Sequence, residues 1–260
     1  MTRSMAAWAA AGALVAFVCA LGVAVLVGTD ALRASPVAQS QFTAWFVIAE
    51  ALAVLITAPI AGVVACGWAR RATVRGPLEA DVRWPFAALQ PVLIVLIFAA
   101  GVAGGSAVVG AALPRAFMPA LPEWLAVLWS AVAVLGALGL VTGAIYQPLD
   151  AVAMAGGLSL AGASAWLALG PLFDHLPRVV STLALSISPV VAVSAASTVD
   201  IFHVEPIYQL SPLAHGQASY PPAAVVGVAY LTTAAALCMV AVWRLSGSGE
   251  RSRTRKDIAA

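Results

Sequence analysis

Apolar residues in this chain neither alternate with polar ones nor recur on a single helical face. They come in blocks. Seven largely apolar stretches follow one another: Ala6–Gly28, Phe42–Ala69, Pro91–Ala112, Trp124–Tyr146, Ala151–Gly170, Val179–Thr198 and Ala223–Trp243. Each is close to the roughly 20 residues a helix needs to span a bilayer core. A helix apolar all round is buried in protein or in lipid. The pattern therefore predicts an all-α, polytopic membrane helix bundle. The first block is longer than the roughly 7–15 apolar residues of a cleaved signal peptide, so a retained helix is expected there. One transmembrane domain is expected over residues 1–245. The polar, basic 246–260, "SGSGERSRTRKDIAA", is expected to be a disordered cytoplasmic tail.

Composition sharpens this picture. The chain is 62% hydrophobic and 9% charged, against about 25% charged in soluble domains. A formal net charge of +2 gives no basis for a nucleic-acid partner. Cys19, Cys66 and Cys238 each lie inside an apolar block, without metal-ligand spacing, and read as buried thiols.

Charge placement decides how many blocks cross. Cationic residues collect on the cytoplasmic side. With six crossings and both termini on one side, that side holds ten of them: Arg3, Arg70, Arg71, Arg75, Arg83, Arg244, Arg251, Arg253, Arg255 and Lys256. The other holds Arg33, Arg115 and Arg178. Seven full crossings would split them five against eight. Six is the better solution, and the block that fails to cross is "RVVSTLALSISPVVAVSAASTVD". Ser188 and Pro189 sit in its middle. Serine is a favoured N-cap and proline a favoured first helical residue, so one short helix ends there and another begins. Each half has about ten residues, or about 15 Å of helix, too short for a core of about 30 Å. The expectation is six transmembrane helices plus a re-entrant helical hairpin before the last. A proline-kinked full crossing is the competing arrangement. Trp45 and Trp124 then fall near outer ends, and Trp8, Trp68, Trp84 and Trp243 near inner ends, as interfacial belts require.

Candidate chemistry is sparse. Glu50 is a carboxyl inside the second block, a functional candidate by its position, with a hydrogen-bonded structural role as the alternative. Glu50, Ser188 and Pro189 are the candidates for lining a translocation path. The loop "ARRATVRGPLEADVRW" carries Arg70, Arg71, Arg75, Glu79, Asp81 and Arg83; it is either a topological anchor or a docking surface for a cytoplasmic partner. Asp200, His203, Glu205 and His215 lie in the polar link before the last block. Their residue types suit a metal, but their spacing matches no compact ligand motif. Gly101, Gly105, Gly139 and Gly143 lie four apart in pairs and predict close helix packing. Phosphate-loop, nucleophile-elbow and HExxH motifs are absent.

In organisation the chain resembles the permease subunits of type-2 ABC exporters. Its matching pieces are the cytoplasmic loop "ARRATVRGPLEADVRW", the broken "LALSISPVVAVSAAS", and "PIYQLSPLAHG" before the final block. The "E-R-E-x-G-T" signature of many such permeases is replaced by "ARRATVRG". The resemblance implies an integral protein of a bacterial inner (cytoplasmic) membrane, with both termini cytoplasmic. It implies no cofactor in this chain, ATP and Mg on a cytoplasmic ATPase partner coupled through the loop Arg70–Arg83, and a homodimer or a pseudo-dimer with another permease. Two other readings stay open: a membrane subunit of a metal- or redox-dependent enzyme complex, with Asp200, His203, Glu205 and His215 as ligands, or a structural membrane subunit.

Overall fold

The computed structural model describes residues 2–28, 35–74, 80–112, 120–173, 177–199, 220 and 222–257. All regular elements among them are helices: α1 (Thr2–Val27), α2 (Pro36–Val74), α3 (Ala80–Ala111), α4 (Leu121–Ile145), α5 (Pro148–Phe173), α6 (Arg178–Ile187), α7 (Pro189–Ala196) and α8 (Ala223–Asp257). Five of them, α1 to α4 and α8, contain spans long and apolar enough to cross a membrane. They mark the chain as an integral membrane protein. α5 has 26 residues and is joined to α4 only through Tyr146 and Gln147. α6 and α7 have ten and eight residues and meet at Ser188 with a bend of 103°.

Local chemistry accounts for the helix starts. α4 opens with Pro122 in its first turn and Glu123 beside it, a proline where no helical N–H is needed and an acid at the positive end of the dipole. α5 repeats this with Pro148 and Asp150. α2 passes through Pro59 as one 39-residue helix. The C-terminal segment departs from the expectation of a disordered tail, because α8 continues to Asp257. Its Ser-Gly repeats are poor helix formers, but a helix already nucleated in the bundle propagates without paying the nucleation cost again.

Glycines set how the helices cross. A Cβ added at Gly101 would lie 2.2 Å from the carbonyl oxygen of Ala9, and one at Gly105 2.8 Å from that of Ala13. α1 and α3 therefore run parallel with backbones in contact. α2 and α4 do the same: a Cβ at Gly139 would lie 2.1 Å from the carbonyl of Pro59, and Gly143 meets Val63 and Cys66. Trp8 packs edge-on against Trp68, ring centroids 5.6 Å apart, which sets α1 antiparallel to α2. Val95 against Gly136, and Gly110 against Leu121 and Trp124, set α3 antiparallel to α4.

α8 packs along α4 and runs parallel to it. Gly227 lies beside Ser130, Ala234 joins Ala133 and Ala137, and Ala241 joins Leu140. The start of α1 and the end of α8 thus lie at the same end of the bundle. Around the opposite half a large apolar cluster gathers Phe46, Val54, Phe98, Trp124, Leu128, Ala163 and Val226. α6 and α7 contribute to that cluster through Leu185, Val190, Val191, Val193 and Ala196. A smaller cluster of Ala65, Cys66, Ile94, Val95, Leu140 and Ala241 fills the half nearer the termini.

Candidate functional site

Inside the apolar bundle a few polar side chains fall at about one depth. Pro59 meets Gly139 on parallel helices, so Glu50 on α2 lies about level with Ser130 on α4. Ser130 lies beside Gly227 on α8. Ser106 on α3 reaches Glu50 directly. The break between α6 and α7 joins α5 at Ala163 and α8 at Tyr230. Glu50, Ser106, Ser130 and Ser188 are all buried, at 0–1% exposure.

Glu50 is the sole carboxyl among these groups. Its Oε1 contacts Ser106 Oγ, while Oε2 has no hydrogen-bond partner among the described residues. Ser106 Oγ also lies 2.7 Å from the carbonyl oxygen of Val102, one turn back in α3. No Lys, Arg or His occurs from Ser4 to Val27, from Pro36 to Ala69, or from Trp84 to Ala111, so α1, α2 and α3 offer no cation at this depth. An uncompensated charge here would be costly.

Ser188 has the extended backbone of an N-cap and Pro189 follows it at the first helical position. This is the break the sequence predicts. Its hydroxyl does not cap α7, however. It donates instead to the Ala163 carbonyl at 3.0 Å. The break also frees the carbonyl of Ser186, and the Tyr230 hydroxyl donates to it at 2.7 Å. Buried backbone freed by a helix break has to find such partners. Downstream, Ser194 Oγ is buried without a hydrogen-bond partner among the described residues. α7 then ends in a Schellman turn, with Val199 N–H donating to Ser194 O and Thr198 N–H to Ala195 O, each at 3.1 Å. Thr198 takes φ +61°, a left-handed conformation normally left to glycine.

Of the translocation-path candidates, Glu50, Ser188 and Pro189 are all buried in the half of the bundle opposite the termini. Arg70 and Arg71 lie exposed on the last turns of α2, at the end that carries the termini. Asp81 and Arg83 fall in the first turns of α3, at the same end. Arg75 and Glu79 lie outside the described residues, as do Asp200, His203, Glu205 and His215. Among the described residues no group of three or more His, Cys, Asp or Glu could hold a metal ion.

Ser106, Ser130, Ser194 and Tyr230 escape a reading of the sequence alone. Single hydroxyls are common in apolar helices, where they bond the preceding turn, and nothing local marks the few that reach another helix. No family model, curated protein or solved structure matches this chain.

Proposed function

We propose that the chain is the membrane-spanning permease subunit of a type-2 ABC exporter, coupled to a separate cytoplasmic ATPase that binds ATP and Mg. The observation that carries this reading is the parallel course of α4 and α8, with α5 and a pair bent by 103° between them. If α5 crosses once, α8 can run parallel to α4 only if α6 and α7 together make no net crossing. That is a re-entrant hairpin on the face opposite the termini, the arrangement such permeases have before their last helix. The ten-to-three distribution of cationic residues supports a cytoplasmic side for both termini.

In this reading the loop between α2 and α3 receives the ATPase. Motion there acts first on the ends of α2 and α3. The glycine contacts hold α1 to α3 and α2 to α4 as two tight pairs. The Glu50–Ser106 contact spans the two pairs, which places it where the bundle would shear. The transporter works as a homodimer or as a pseudo-dimer with a second permease.

Two experiments test this. Single cysteines at Val179 and Thr198 should both react with a membrane-impermeant thiol reagent applied from outside; labelling from opposite faces would reject the hairpin. The tagged chain, isolated in mild detergent from its own cells, should bring down an ATPase. Replacing Arg70, Arg71 and Arg75 together should reduce that recovery without lowering the yield of folded membrane protein. A native preparation free of any ATPase would reject the exporter reading.

A further inference from the structure

Two contacts of the Ser106 hydroxyl need the same proton. Its Oγ lies against Glu50 Oε1 and also 2.7 Å from the Val102 carbonyl oxygen. A serine hydroxyl has one proton to donate and lone pairs with which to accept. A carbonyl oxygen only accepts, as does an ionised carboxylate. If Glu50 were ionised, Ser106 would have to divide one proton between two acceptors, or leave one contact as an oxygen facing an oxygen with no proton between them. Both are full two-centre hydrogen bonds only if the second proton sits on Glu50. Ser106 then donates to Val102 O, and the Glu50 hydroxyl donates to Ser106 Oγ.

The helices support the first half of that assignment. Thr43, Thr57 and Ser159 each donate to the carbonyl four residues back, at 2.8–2.9 Å. Ser130 donates to the carbonyl three back at 2.8 Å. The Ser106–Val102 bond has the same form and a similar length. The second half agrees with the surroundings. Glu50 is fully buried, its Oε2 accepts from nothing among the described residues, and α1, α2 and α3 bring no cation to it.

We infer that Glu50 is a proton-binding site: a carboxylic acid held in the middle of the bundle, donating to Ser106 at the contact between α2 and α3. Removing the proton would leave two oxygens in contact and an unpaired charge in an apolar layer, so its release requires the two helices to part or water to enter. Protonation of Glu50 and closure of α2 on α3 are therefore one event. This holds whatever the chain transports.

Infrared spectroscopy of the purified full chain in lipid tests it at neutral pH. The wild type should show the C=O stretch of a protonated carboxylic acid, and that band should be missing from Glu50→Gln. In Ser106→Ala the acid loses its acceptor, and the band should persist but move to higher frequency. A wild-type spectrum with only carboxylate bands would overturn the assignment. So would an acid band unchanged in both variants. If Glu50→Gln does not fold, the wild type and Ser106→Ala decide by themselves: an acid band that moves supports the site, and one that is absent or fixed overturns it.

Discussion

Gly101→Ala adds one methyl group at the crossing of α1 and α3. The new Cβ would lie 2.2 Å from the Ala9 carbonyl oxygen, with Ala9 backbone atoms filling the other near positions at 2.9 Å. Backbone cannot swing aside as a side-chain tip can. Restoring a contact of 3.4 Å requires the helices to separate locally by about 1.2 Å, the difference between those distances. Overpacking of this kind costs about 1–3 kcal/mol, and a gap near 1 Å forfeits a quarter to a half of the dispersion attraction across the contact. Alanine returns up to about 1 kcal/mol through helix propensity. The net expectation is a loss of about 1–2 kcal/mol. Gly104, three residues on in the same helix, has nothing within 4 Å of its would-be Cβ. Gly104→Ala carries the same propensity gain and no clash, and should be neutral or stabilising by up to about 1 kcal/mol. Reversible unfolding of both variants in mixed micelles, followed by circular dichroism, gives the comparison. Equal stabilities, or a more stable Gly101→Ala, would refute the claim that the glycines are there for backbone contact.

Thr198→Gly should stabilise the fold by about 0.5–1 kcal/mol in the same assay. It removes about 1–2 kcal/mol of left-handed strain at φ +61°, less the entropy that glycine restores to the unfolded chain; a loss would show that the threonine side chain holds the turn. Tyr230→Phe should cost about 1–3 kcal/mol, because it leaves the Ser186 carbonyl buried without its donor. A neutral effect would mean that another donor reaches that carbonyl once the hydroxyl is gone.

Much of the architecture is legible in the sequence, for physical reasons that name particular residues. All seven apolar blocks prove helical because a lipid-facing segment must satisfy its own backbone. The break at Ser188–Pro189 is legible because both residues act locally. Gly101, Gly105, Gly139 and Gly143 are legible as packing positions because only a missing Cβ permits such approach. What escapes is whatever depends on a distant partner. Ser106 stands 56 residues from Glu50, and only the parallel and antiparallel pairings of α1 to α4 bring the two together. Ser188 is the instructive failure. Its local role as a side-chain cap is real chemistry, but a carbonyl 25 residues away is within reach and takes the proton. The end of α8 fails for the opposite reason. Ser-Gly composition argues against helix there, and continuity with a long helix outweighs it.

The break between α6 and α7 shows how a bundle with so few polar groups tolerates irregular backbone. Ser188 N–H bonds Leu185 O at 3.2 Å, and Ser188 O accepts from Ala192 N–H at 3.0 Å, so the broken residue keeps both of its own main-chain groups paired. Proline supplies no N–H at the position where one would be orphaned. Among the carbonyls freed at the end of α6, that of Ser186 accepts from Tyr230 of α8. Ser188 itself ties the break to α5. Both ties at the break therefore run to the two helices that flank α6 and α7 in sequence. Toward α2 and α4 the larger apolar cluster offers partners such as Val47, Val54, Val127 and Leu128. Apolar contacts slide at low cost, whereas a buried carbonyl loses its donor only at a cost of about 1–3 kcal/mol. In any motion that parts these helices, α6 and α7 should travel with α5 and α8 and slip past α2 and α4.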